Sequence, residues 1–65
     1  MIQKVKHPMN LNVGDLVRYK NVDDKEYNYC LVIKLYDNSV KVIYKTEVFN
    51  ISHTLFRFGR VERVN

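Results

Sequence analysis

Apolar and polar positions alternate most cleanly between Tyr27 and Thr46, and this stretch predicts the first element. Tyr29, Leu31, Ile33 and Leu35 share one parity; Cys30, Val32, Lys34 and Tyr36 share the other. Successive strand side chains point to opposite faces. A run that is apolar on both parities until Lys34 therefore predicts a strand buried on both sides at its centre, or bent between two sheets. Asp37-Asn38-Ser39 is a tight-turn signal, with Asn38 expected near the left-handed conformation. Val40, Val42 and Tyr44 then alternate with Lys41, Ile43 and Lys45. Together these segments predict a β-hairpin over 27–46.

The rest of the pattern is shorter. Val13-Gly14-Asp15 predicts a turn feeding a strand at Leu16–Lys20, with Gly14 giving backbone freedom and Asp15 bonding nearby amides. Asn21–Glu26 is polar and acidic, with Val22 its only apolar residue, and predicts a loop. Glu47–Thr54 predicts a further strand of weaker alternation. Leu55–Gly59 fits a single 3-10 turn closed by Gly59. Arg60–Val64 is the last strand, and the three-residue spacing of Val61 and Val64 calls for a bulge or a one-turn twist. Residues 1–10 show no period. Pro8 holds His7 extended and has no N–H for a ladder, so this segment is an arm, or at best an edge strand. The expectation is an all-β fold of five strands: an N-terminal arm over 1–10 and a single domain over 11–65.

Composition agrees with that reading. Sixty-five residues make one domain, and a chain of this size buries only about 60% of its unfolded surface, leaving little room for an enclosed active site. Apolar residues are 46% of the chain, with many Val, Ile, Leu, Tyr and Phe and no Ala or Trp. β-branched and aromatic side chains suit a pleated surface, and the absence of Ala counts against a helical bundle. Cys30 has no second cysteine to pair with. No segment approaches the roughly 20 apolar residues of a membrane span, and none near the N-terminus is an apolar run of signal-peptide length. A cytoplasmic, reducing location is expected, and Asn50-Ile51-Ser52 is then a coincidental match to the glycosylation sequon.

Catalytic and metal chemistry find little support. A nucleophile needs a base in reach and a group that orients the base. Cys30 sits mid-strand among apolar neighbours and reads as a small buried hydrophobe. His7 and His53 are the only imidazoles, far apart in sequence and at no metal-ligand spacing. Asp23-Asp24-Lys25-Glu26 lacks the pattern and glycine of a Ca²⁺ loop, and Gly14 and Gly59 form no phosphate cradle. No catalytic residue, metal, cofactor or small-molecule substrate is expected.

Charge says more. The net +4 is distributed unevenly. Lys4, Lys6, Arg18 and Lys20 against Asp15 leave residues 1–20 at +3, and Lys41, Lys45, Arg57, Arg60 and Arg63 against Glu47 and Glu62 leave residues 40–65 at +3. Between them Lys25 and Lys34 against Asp23, Asp24, Glu26 and Asp37 give −2. Both chain ends are basic around an acidic middle.

The order of these pieces resembles Src-homology-3-like small barrels of the KOW and Tudor type. Val13-Gly14-Asp15-Leu16-Val17 corresponds to the opening strand, Cys30–Leu35 to the second, Val40-Lys41-Val42-Ile43-Tyr44 to the third and Arg60–Val64 to the fifth. The match covers about residues 11–65. Short basic chains of this pattern also look like proteins encoded by tailed bacteriophages, which would make the location a host cytoplasm. Two departures stand out. Tyr29 or Cys30 holds the place where KOW motifs commonly have a glycine before the second strand, and the loop after the first strand is acidic. Tudor-type barrels imply an aromatic cage, for which Tyr19, Tyr27, Tyr29, Tyr36 and Tyr44 are the candidate walls; core and cross-strand packing is the plainer reading of these tyrosines.

Two functions suit such a module. In the first, Arg57, Arg60 and Arg63, with Phe58 beside them and Lys41 and Lys45 on the third strand, hold a DNA or RNA backbone while an aromatic ring stacks on bases. This needs the closing segment beside the third strand and a bulge that gathers Arg60 and Arg63 on one face; Lys4 and Lys6 can join from the arm. The plainer alternative is a solvated basic surface with Phe56 and Phe58 in the core. In the second, the chain is a protein-interaction module that docks on a host factor through its acidic 23–26 loop or an open sheet edge, or is a minor virion component.

Overall fold

The computed structural model describes residues 2–64. Six strands form one sheet: β1 (Gln3–Lys4), β2 (Leu16–Tyr19), β3 (Asn28–Leu35), β4 (Ser39–Tyr44), β5 (Glu47–Ser52) and β6 (Val61–Arg63). A 3-10 turn at Pro8–Asn10 follows β1, and a short α-helix, α1 (His53–Arg57), separates β5 from β6. The strand order is β1-β6-β2-β3-β4-β5, and every pairing is antiparallel. Over the described residues the fold is thus all-β apart from two short helical turns, with six strands where the pattern predicts five.

The extra strand is β1. Of the two forms open to residues 1–10, this segment takes the edge strand: Gln3 and Lys4 pair with Arg63 and Glu62, and the Val5 amide donates to the Val61 carbonyl. Val5 and Pro8 are buried, so the segment packs on the core, and apolar burial is what fixes it there.

The hairpin expected over 27–46 forms as β3–β4, with Leu31 opposite Ile43 and Val32 opposite Val42. Its inner face is Cys30, Val32, Val40 and Val42, all essentially inaccessible. Tyr29 and Leu31 point outward and are exposed, so β3 is not buried on both faces at its centre. Instead a bulge between Val32 and Lys34 shifts the register, and Leu35 packs against the core beyond it. One extra residue reverses the parity, which is how a run apolar on both parities serves a single core. Asn38 is not left-handed; Lys45, in the β4–β5 turn, is the one non-glycine with positive φ (57°) among the described residues. The bulge already adds right-handed twist, which a left-handed loop residue otherwise supplies.

The turn before β2 has the expected chemistry. Gly14 adopts φ 98°, its amide donates to the Val32 carbonyl, and the Asp15 carboxylate accepts the Asn12 amide at 2.8 Å. In the acidic loop, Asp24 accepts from the Asn21 amide at 3.0 Å and from Asn28 Nδ2 at 3.1 Å. These bonds, the Asn21 amide first, hold its carboxyl below the usual range.

The sheet curls strongly. Tyr19 on β2 and Phe49 on β5 are separated by β3 and β4, yet their rings meet edge to face with centroids 5.9 Å apart. A flat sheet would hold those strands about 14 Å apart. Val17, Cys30, Val32, Val40, Val42, Ile51 and Val61 from the strands form one buried core with Val5, Leu11 and Phe56.

Candidate nucleic-acid interface

The segment Ser52–Arg60 decides where the candidate residues go. The His53 amide donates to the Asn38 carbonyl, docking the start of α1 on the β3–β4 turn. The Phe58 amide reaches back to Thr54, an α-type bond, so the expected 3-10 turn is an α-helix that begins two residues earlier. Gly59 then takes φ 70°, with its amide on the Phe56 carbonyl and the Arg60 amide on that of Leu55. This is a Schellman stop, in which a left-handed residue satisfies the last helix carbonyls and turns the chain sharply. Two phenylalanines part company because positions two apart on a helical turn lie about 200° apart around its axis: Phe56 is buried at 1% exposure and Phe58 stands out at 71%.

Phe58, Gly59 and Arg60 form one side of a small surface pocket of about 110 Å³, and Lys20 and Tyr27 form the other. The Tyr27 ring carries two cations, Arg18 with its guanidinium carbon 3.9 Å from the centroid and Lys20 with Nζ at 4.9 Å. Arg18 is held in place from the far side, since its Nε donates to Glu62 at 2.6 Å and its Nη1 to the Tyr29 hydroxyl at 3.3 Å. Lys4 completes the rim: its Nζ lies 3.7 Å from where a β-carbon on Gly59 would sit. The corner therefore gathers Lys4, Arg18, Lys20 and Arg60 around one exposed ring, with Glu62 beside Arg18 and Asp24 acting on Lys20 as the counter-charges.

Of the residues singled out from sequence, Phe58 and Arg60 are brought together here. Arg57 is exposed in the last turn of α1, one residue away in the chain. Lys41 and Lys45 are elsewhere, because β6 pairs with β1 and β2 and not with the third strand of the hairpin set, β4. Lys41 shares the Tyr36 ring with Lys34, at 5.9 and 5.3 Å, and Lys45 sits in the β4–β5 turn 5.2 Å from the Tyr44 ring. Arg63 is also apart. The ladders of β6 run without a bulge, so Arg60 and Arg63 fall on opposite faces, and Arg63 bonds Gln3 Oε1 at 2.7 Å with Asp15 at 4.0 Å. Lys20 and Tyr27 carried no signal pointing to the site; they flank the 21–26 loop, and only the β2–β3 ladder brings the loop's two ends back to β6.

The tyrosines do not gather at one point. Tyr19 and Tyr44 meet Phe49 edge to face, Tyr27 lies under Arg18 and Lys20 with the Tyr29 hydroxyl also bonded to Arg18, and Tyr36 lies beside Lys34 and Lys41. Cys30 is buried, and burial pushes its thiol up to about 11, so it is a poor nucleophile near neutrality. Among the described residues no helix is long and apolar enough to cross a membrane. Compared with protein-family models, curated proteins and solved structures, the chain matches none.

Proposed function

We propose that this chain is a non-enzymatic, cytoplasmic binding module, an SH3-like small barrel that holds single-stranded nucleic acid at the pocket between Tyr27 and Phe58. The observation that carries the reading is Phe58: a large ring, 71% exposed, at the end of a helix closed by a Schellman turn, sharing a pocket with Lys20 and Arg60 and with Lys4 at the neighbouring Gly59. Exposing an aromatic ring to water forgoes about 2 kcal/mol of burial, and a base stacked on it recovers contact of about 1–3 kcal/mol. The surrounding cations suit phosphates, which supply most of the sequence-independent affinity. A duplex hides its base faces, so an exposed stacking ring favours unpaired strands. The barrel itself is supported by the strand order, a β2–β5 meander with β6 returning beside β2, and by the curl that brings Tyr19 to Phe49.

The test is fluorescence anisotropy with labelled single-stranded and duplex oligonucleotides across a salt series. Phe58→Ala is expected to weaken single-strand binding by roughly 5- to 150-fold, the equivalent of one stacked base. Lys20→Ala and Arg60→Ala are each expected to flatten the salt slope by roughly 0.7. Equal binding by wild type and Phe58→Ala, or no binding at low salt, would overturn the proposal.

A further inference from the structure

The outer face of the sheet carries a feature that the nucleic-acid reading does not use. Leu16 lies opposite Leu31, Leu31 opposite Ile43, and Ile43 opposite Val48, so one cross-strand row is aliphatic through four successive strands. All four point away from the core; Leu16, Leu31 and Val48 are 37%, 43% and 55% exposed, and Ile43 is partly so. An antiparallel sheet with one solvated face ordinarily places polar residues there. Isolated exposed apolar residues are unremarkable, but an unbroken row is a patch, and patches of this kind mark interaction sites. At the spacing of neighbouring strands the row is about 14 Å long.

Its border supplies the charge. Lys34 and Lys41 face each other directly in the next outward row, with Asn50 beyond Lys41. Like charges directly opposite one another destabilise a sheet. Among the described residues neither lysine forms an ion pair, and both lie near the Tyr36 ring. An aliphatic row edged by two uncompensated cations is complementary to an aliphatic ridge edged by carboxylates.

We propose that this face docks an acidic, amphipathic helix of a partner protein, its apolar residues along Leu16–Leu31–Ile43–Val48 and its carboxylates over Lys34 and Lys41. A helix rises about 1.5 Å per residue, so anchors at i, i+4 and i+7 span about 10 Å and fit within the row. A second copy of this chain fits less well, since it brings the same lysines and a net charge of +4. The proposal is independent of the corner pocket.

The probe is a synthetic peptide set titrated into the intact protein and followed by NMR and calorimetry: leucines at i, i+4 and i+7 bordered by glutamates, the same peptide with lysines for glutamates, and the glutamate peptide with serines for leucines. The expected result is binding of the first alone, with shifts centred on Leu31, Ile43 and Lys41. Leu31→Ser is expected to weaken it at least 10-fold, and the conservative β-former Ile43→Thr by less. Lys34→Glu with Lys41→Glu should reverse the preference toward the lysine peptide, whereas Phe58→Ala should leave it unchanged. Circular dichroism checks that each variant folds. Failure of all three peptides to bind at millimolar concentration, or equal binding of the acidic and basic ones, overturns the proposal. So does a concentration-dependent dimer abolished by Leu31→Ser, which gives the face to a second copy, or displacement of the peptide by an oligonucleotide, which gives it to nucleic acid.

Discussion

The β3–β4 hairpin and the corner from α1 to Arg60 use the same stock of residues, aliphatics, aromatics and cations, but place them by different rules. In the hairpin, parity decides: Cys30, Val32, Val40 and Val42 go in, and Tyr29, Leu31 and Lys41 go out. One bulge exchanges the faces, and everything beyond it follows. In the corner nothing alternates. Phe56 and Phe58 are the same residue two positions apart, and the helical period sends one inward and the other into water before a left-handed glycine ends the helix. The hairpin follows the two-residue period of a strand, whereas the corner follows the helical period and the stop that ends it.

The sharpest way to test that difference is to truncate both rings. Phe56→Ala is expected to cost about 3–5 kcal/mol in denaturant unfolding, since it opens a cavity in a fully buried site. Phe58→Ala should stay within about 0.5 kcal/mol, as for an exposed surface position. Similar losses for the two would mean that Phe58 packs on the core, and the corner would lose its claim to be a site.

The hairpin can be probed through its one titratable core group. The Cys30 thiol titrates at about 11 when folded and nearer its ordinary 9.0 when exposed. A raised folded pKa gives stability that is complete below the unfolded value and lost as pH climbs through the folded one. Unfolding free energy should therefore fall between about pH 9 and 11, by on the order of 2 to 3 kcal/mol. Tyr19, raised mainly by its own burial, adds to the same slope. Cys30→Ala should remove the larger part; a slope that the variant keeps in full would show that the thiol is not sequestered.

A smaller effect than that of the buried thiol belongs to the turn. Gly59→Ala puts a β-carbon at φ 70°, which costs roughly 1–2 kcal/mol for an L-residue. The space there is adequate, the nearest atom being Lys4 Nζ at 3.7 Å, so strain and not collision is the cause. Amide exchange at Gly59 and Arg60 should quicken, and oligonucleotide affinity should fall with them. Unchanged exchange there would mean that the helix stop does not depend on the glycine.

Local chemistry made much of this legible in advance. Alternation located β2 through β5 to within about two residues, and Gly14 with Asp15 announced the turn into β2 because the left-handed glycine and the Asp15 bond to the Asn12 amide are both local. Of the candidate cations, Arg60 joined Phe58 because the two are only two positions apart in the chain. A shared surface for Lys41, Lys45 and Arg63 requires the closing strand to lie beside the third, and strand order is not encoded in parity. Lys20 and Tyr27 stayed hidden for the converse reason: they meet Arg60 only through ladders between distant segments.

By itself, then, the sequence determined a sheet-forming chain, its hairpin, its turn chemistry and a charge divided between basic ends and an acidic middle, since each is a property of residues within a few positions of one another. The tertiary structure alone decided that β6 lies between β1 and β2, that Phe58 faces water among Lys4, Lys20 and Arg60, and that four aliphatic side chains align across the outer face. Register and strand order arise from packing the whole apolar set into one core, and no local window contains that sum.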